Sequence, residues 1–149
     1  MNGERWFFDT NVLVYLFDAK ATDKQATARS LWEKACREAV PLLSTQVLQE
    51  FFVTVTKAVK QDLPVPVARK AMLEFADIAE VANITLSLVE AATRRIEESG
   101  LSFWDSLIVE TAIENGAKRL WSEDLQDGQS CGDLIIVDPF GSGSGFHNE

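Results

Sequence analysis

The run RWFFDTNVLVYLFD, residues 5–18, constrains this chain more than any other feature. Its apolar character is broken at Asp9 and resumes with Val12, Leu13, Val14, Tyr15, Leu16 and Phe17. A lone ionised carboxylate inside a core costs several kcal/mol unless it is paired or bound to a cation. The run therefore reads as two elements meeting at a polar junction: a buried strand, RWFF, ending at Asp9, and a short helix from about Asn11 to Phe17.

The rest of the chain repeats the alternation. Residues 21–39 read as a helix, with Ala28, Leu31, Trp32, Ala35 and Cys36 at helical spacing. PLLS is a strand and TQVLQEFFVTVTKAVK a helix. DLPVP breaks that helix, and Pro66 suits the first turn of the next one, VARKAMLEFADIA. EVANIT is a weak strand. Ser87 and Glu90 form a capping-box pattern opening LVEAATRRIEESG, with Gly100 as its stop. A helix from Ser102 ends at Gly116, and KRLWS and LIIVDPF are two further strands. Strands alternating with helices predict an α/β fold around a central, mainly parallel sheet. Such sheets put their sites at the carboxyl ends of strands, where Asp9 and the SED at 122–124 would share one edge. There is no internal repeat or linker, so residues 1–140 are expected to form one domain and the GSGSG-rich 141–149 a flexible tail.

Composition removes several function classes. At 149 residues and 46% apolar the chain can bury a sizeable core, and no apolar run reaches the roughly 18–20 residues of a membrane span. With no signal-peptide pattern at the N-terminus, a cytoplasmic, membrane-free protein is expected. Cys36 and Cys131 are expected as free thiols. They and the one histidine, His147, cannot supply a zinc site or a histidine-based triad. The net charge of −9 argues against nonspecific nucleic-acid binding. The basic residues nevertheless form local pairs: Lys57 and Lys60, Arg69 and Lys70, Arg94 and Arg95, Lys118 and Arg119. Trp32, Phe51, Phe52 and Trp104 are expected in the core.

Four acids sit where a site would form. Asp9 ends a strand. Glu50 lies about 60° from Val47 on its helix, at the border of the apolar face; a solvated surface glutamate would look the same. Asp105 opens a helix on the side of Leu101, Ile108 and Ala112, and with Ser102 it also matches a capping box. Asp124 follows a strand in WSEDLQDG, a stretch that equally suits a polar turn, with Glu123 and Asp127 as rivals. Ser122 can orient a carboxylate or a water. If the four converge, they cannot all stay ionised without a cation. Oxygen-only ligands suit Mg²⁺ or Mn²⁺, and carboxylate-held Mg²⁺ serves phosphoryl chemistry.

These stretches, FFDTNVLVYLFD, LSTQVLQEFF, SFWDSLIVETA, WSEDLQDG and IIVDPF, occur in the order found in the PIN-domain nucleases, and the chain most resembles the VapC-type toxins of toxin–antitoxin pairs. The resemblance implies a three-layer α/β/α fold and a Mg²⁺- or Mn²⁺-dependent endonuclease of single-stranded RNA, with transfer RNA and ribosomal RNA loops as fitting targets. It also implies homodimerisation and inhibition by a VapB-type antitoxin. Its acidic set carries over to Asp9, Glu50, Asp105 and Asp124 as catalytic and metal-binding residues. Asn11 and Ser122 become their supports, and Asp127 is the alternative last acid. Two rivals remain. A haloacid-dehalogenase-type phosphotransferase also starts from a strand-end Asp but calls for a second Asp where this chain has Asn11. A non-catalytic binding module would leave the acids structural.

Overall fold

Short apolar strands that run straight into helices set the architecture. The computed structural model describes residues 3–141. Residues 142–149 of the expected tail, His147 among them, lie outside the described residues. In chain order the elements are β1 (Arg5–Phe8), α1 (Thr10–Tyr15), α2 (Thr22–Glu38), β2 (Val40–Ser44), α3 (Thr45–Val55), α4 (Val65–Ile78), β3 (Glu80–Ala82), α5 (Leu86–Ser99), α6 (Phe103–Glu114), β4 (Arg119–Trp121), β5 (Ser130–Cys131) and β6 (Leu134–Val137). This is the expected α/β fold, with the sheet order β3-β2-β1-β4-β6-β5. All its pairings are parallel except β5 with β6. β1 lies inside the sheet, with Phe7 in register with Leu42 on one side and Leu120 on the other. Phe7 and Phe8 are fully buried, as an inner parallel strand covered on both faces requires.

The chain steps outward from β1 to β2 and β3, then returns across the sheet to β4. Right-handed crossovers in both directions put α2, α3 and α4 on one face and α5 and α6 on the other. On the first face Trp32, Phe51 and Phe75 pack edge-to-face, and Phe8 of β1 meets Trp32 with ring centroids 5.1 Å apart. On the second, Leu88 and Ala92 of α5 pack against Leu107 of α6, and Arg95 pairs with Glu110 between the same helices. The point where the strand order reverses lies between β1 and β4, and ligands of open α/β sheets bind there.

Several local expectations change. α3 ends at Val55 rather than running to Lys60, and residues 56–61 turn back toward α4. The cap of α5 is Thr85, whose hydroxyl accepts the Leu88 N–H at 3.3 Å. Ser87 already lies inside that helix, and Glu90 pairs with Arg94 one turn on instead of reaching back to a cap. Gly100 does end α5, at φ 73°, a left-handed conformation that glycine takes without strain. Cys36 is exposed, and both cysteines are free. Trp32 and Phe51 are buried and Phe52 half-buried, but Trp104 is 61% exposed. It precedes Asp105 in the first turn of α6, where Phe103 turns toward α5 and the indole stays in solvent.

Candidate functional site

Two strand-to-helix junctions build the site without intervening loops. β1 ends at Phe8 and the next residue, Asp9, is the N-cap of α1; β2 ends at Ser44, itself the N-cap of α3. The Asp9 N–H extends the β1–β4 ladder by donating to the Trp121 carbonyl at 2.9 Å. This fixes the Asp9 backbone beside the end of β4. Its side chain is only 4% exposed. Oδ1 accepts the Thr10 N–H at 2.7 Å, and Oδ2 accepts the Ser122 hydroxyl at 2.7 Å. Each oxygen retains a further lone pair.

Ser122, fully buried, also accepts the Asp124 N–H at 3.1 Å, so one hydroxyl positions two acids. Asn11 closes the arrangement from α1. Its Nδ2 donates to Asp124 Oδ2 at 3.1 Å, and its Oδ1 accepts the Glu123 N–H at 3.2 Å. Glu50 reaches the same edge from α3. Its Oε1 accepts the Thr10 hydroxyl at 3.3 Å, and its Oε2 accepts from Gln46 Nε2 at 2.8 Å. Gln46 Nε2 also donates to the Trp104 carbonyl at 3.2 Å, linking α3 to the start of α6, where Asp105 lies. The Asp105 N–H is capped by Ser102 Oγ at 3.1 Å, so the capping reading of this turn holds alongside any other role of its carboxyl.

The electrostatics report the convergence. Burial pushes the Asp9 carboxyl up to about 7, against the Ser122 and Thr10 hydrogen bonds, and the charges of Asp124 and Asp105 push it further the same way. Asp105 is raised by burial first, then by the charges of Asp124 and Glu50. Among the described residues none of Asp9, Glu50, Asp105 and Asp124 forms an ion pair.

The rival acids of the loop are engaged elsewhere. Glu123 accepts from Lys24 and, at 2.8 Å, from the Tyr15 hydroxyl, and Lys24 also lies over the Tyr15 ring. Asp127 Oδ1 accepts the Asp138 N–H at 2.8 Å, tying the loop to the end of β6. Thr10 and Gln46, both buried, are supports that sequence reasoning did not single out. Gln46 stands four residues before Glu50 on α3, a spacing at which polar side chains meet, and that was its one visible signal.

The donor set contains only oxygen, which suits a hard divalent cation. Among the described residues no three His, Cys, Asp or Glu side chains stand close enough to hold one ion as placed. Asp9 is held by the Ser122 and Thr10 hydrogen bonds, Glu50 and Asp105 are half-buried and Asp124 is exposed. A hollow of about 310 Å³ lies against two of the four, Glu50 and Asp124, and is lined also by Thr10, Asn11, Thr54 and Lys60. Of the basic pairs, only Lys57 and Lys60 border this region. Arg94 and Arg95 are ion-paired to Glu90 and Glu110, and Lys118 and Arg119 to Asp133 and Glu4.

Comparison with known proteins agrees with this fold. Among solved structures the chain is similar to the Mycobacterium tuberculosis toxin VapC20, described as cleaving the sarcin–ricin loop, at 22% identity and a TM-score of 0.62, over 77% of this chain and 86% of that one. It is similar to a toxin–antitoxin complex from Klebsiella pneumoniae at 21% identity and TM-score 0.66, covering 90% and 97%. It is also similar to VapBC2 from Rickettsia felis, bound to a DNA fragment from its promoter, at 19% identity and TM-score 0.64, covering 89% and 96%. At such identities these likenesses speak for the fold. A search of curated proteins gives no match. The sequence model of the PIN domain matches residues 6–126, a span that runs from the first strand through the loop carrying Asp124. With that match over most of its length, and the parallel sheet and strand-end acids to go with it, the chain belongs to the PIN-domain family.

Proposed function

We propose that this chain is a metal-dependent endonuclease of single-stranded RNA, acting as the toxin of a toxin–antitoxin pair. The observation that carries the reading is the gathering of Asp9, Glu50, Asp105 and Asp124 at the switch point with no cation paired to any of them among the described residues. Asp9, Asp105 and Asp124 would hold Mg²⁺ or Mn²⁺, with Glu50 as a ligand directly or through water. Bound there, a divalent cation supplies an acidified water and offsets charge on the phosphoryl oxygens. The chain's own groups do the positioning. Ser122 and Thr10 keep Asp9 oriented, Asn11 and Ser122 hold the Asp124 loop, and Gln46 and Thr10 fix Glu50. Lys57 and Lys60 are the nearby cations for the RNA phosphates. RNA as substrate is supported by the likeness to a toxin described as cleaving the sarcin–ricin loop, and a VapB-type antitoxin by the likeness to toxin–antitoxin complexes. We place the homodimer contact at Leu73, exposed on α4.

The test is cleavage of single-stranded RNA by purified chain, stripped of metal and then given Mn²⁺ or Mg²⁺. Cutting that needs the metal and is lost in Asp9→Asn supports the reading. Cutting by Asp9→Asn at the wild-type rate overturns it. A non-catalytic binding module is the second reading, favoured by the spacing of the acids, no three of which close on one ion as placed. That reading expects neither cleavage nor any rise in melting temperature with Mn²⁺.

A further inference from the structure

Trp104 breaks the rule that large aromatics are buried. Its neighbour Phe103 packs beside the Leu88–Ala92–Leu107 cluster, yet the indole stands 61% exposed. It is not loose. Phe103 sets its ring edge-on to the indole, with centroids 5.0 Å apart and planes at 83°. The Trp104 carbonyl accepts from the same Gln46 Nε2 that donates to Glu50. One buried amide thus fixes both the residue bearing the aromatic platform and an acid of the site.

Trp104, Gln49, Glu50, Val53 and Lys57 line a groove of about 440 Å³, within the range of ligand sites. Glu50 and Thr54 belong both to this groove and to the hollow over Asn11 and Asp124, so the two are adjoining parts of one depression. Lys57 is exposed and forms no ion pair among the described residues. The groove therefore offers an indole and an ammonium group that is paired with none of the acids among the described residues. A nucleotide matches that set: its base is neutral with a π face, and its phosphate seeks the ammonium. Only an unpaired base can present its face to a side chain, because a base in a duplex is stacked between its neighbours.

We propose that Trp104 is a stacking platform for an unpaired base of the RNA flanking the cut phosphate, and that Lys57 takes a phosphate of the same strand. This rests on the nuclease reading and names the part of the site that selects single strands. The probe is a labelled, mixed-sequence, single-stranded RNA oligonucleotide, titrated by fluorescence anisotropy against the full chain carrying Asp9→Asn to prevent cleavage. Adding Trp104→Ala should weaken binding about 5- to 150-fold. Trp104→Phe, which keeps a π face, should stay within about threefold, whereas Trp104→Leu, which keeps apolar bulk alone, should fail as alanine does. Lys57→Ala should lower the slope of log affinity on log salt by about 0.7. Equal affinity in the tryptophan and alanine proteins, with wild type still cutting RNA, overturns the platform and leaves the nuclease reading standing. Leucine binding as well as phenylalanine overturns it too, and marks the groove as an apolar contact suited to an antitoxin segment. If wild type neither cuts nor Asp9→Asn binds single-stranded RNA, the nuclease reading falls and the platform with it. Melting curves of the Trp104 variants, a leucine among them, separate lost binding from lost folding.

Discussion

Asp9 carries two opposed demands. Its hydrogen bonds to Ser122 and the Thr10 N–H favour the ionised form, while burial and the charges of Asp124 and Asp105 oppose it, and opposition wins. The native carboxyl, near 7, binds its proton more tightly than the unfolded one, near 3.8. Without divalent cations, stability should therefore fall as pH rises from about 4 to about 7 and then level off. Asp9→Asn keeps an acceptor for Thr10 and a donor for Ser122, and removes the charge. In EDTA its stability advantage over wild type, measured by urea unfolding, should be absent near pH 4 and reach roughly 2–4 kcal/mol at pH 8, at ~1.36 kcal/mol per pKa unit. An advantage independent of pH would mean that Asp9 is not held neutral by its surroundings. Ser122→Ala removes the hydroxyl shared by Asp9 and the Asp124 N–H. It should reduce metal-dependent kcat/KM on RNA about 10- to 100-fold with the fold retained by circular dichroism. At this scale the sequence was informative about polar residues interrupting apolar runs, as with Asp9, Asn11 and Ser122. Thr10 is silent in the sequence and Gln46 shows only its spacing to Glu50, because their roles exist only where α1, α3 and α6 meet. Trp104 misled because burial was inferred from residue type, whereas exposure is decided by what the neighbouring helix leaves uncovered.

At the scale of elements, strand ends that double as helix caps make the site rigid. Asp9 directly follows a strand, Ser44 closes one, and each opens a helix, leaving no loop to absorb motion. The same logic locates the start of α5. Thr85→Ala should cost about 1 kcal/mol in urea unfolding, and Ser87→Ala, inside the helix, well under half of that. Reversed costs would return the cap to Ser87. The boundaries of α2, α4 and α6 were legible because long periodic faces and proline or glycine punctuation agree there. The two-residue β5 was not, since its pairing to β6 hangs on a turn at Gly132–Asp133 rather than on any apolar pattern of its own. α3 was read too long because Lys57–Lys60 continue a helical composition, while the chain there turns to let the Leu63 N–H bond the Val55 carbonyl at 2.8 Å.

For the whole molecule, the acid cluster and a net charge of −9 make stability, on the proposed reading, depend on a bound cation. A ligand that binds only the folded state raises its melting temperature, and a cation at about 100 times its Kd contributes ~2.7 kcal/mol, about 5–10 °C for a chain of this size. Mn²⁺ should produce such a rise in wild type at pH 7.5 and much less in Asp9→Asn; equal rises would place the cation elsewhere. Light scattering should give twice the chain mass if the exposed α4 residues form the dimer surface, and Leu73→Glu should halve it.

The switch point has a consequence in time. Asp9 and the Ser122 that orients it are 113 positions apart, joined only because β4 docks directly against β1. A growing chain that carries β1 and α1 holds the first half of the pocket but cannot complete it until β4 and Ser122 have been made and β4 has inserted beside β1. A truncation anywhere before residue 119 therefore leaves Asp9 without the hydroxyl that orients it.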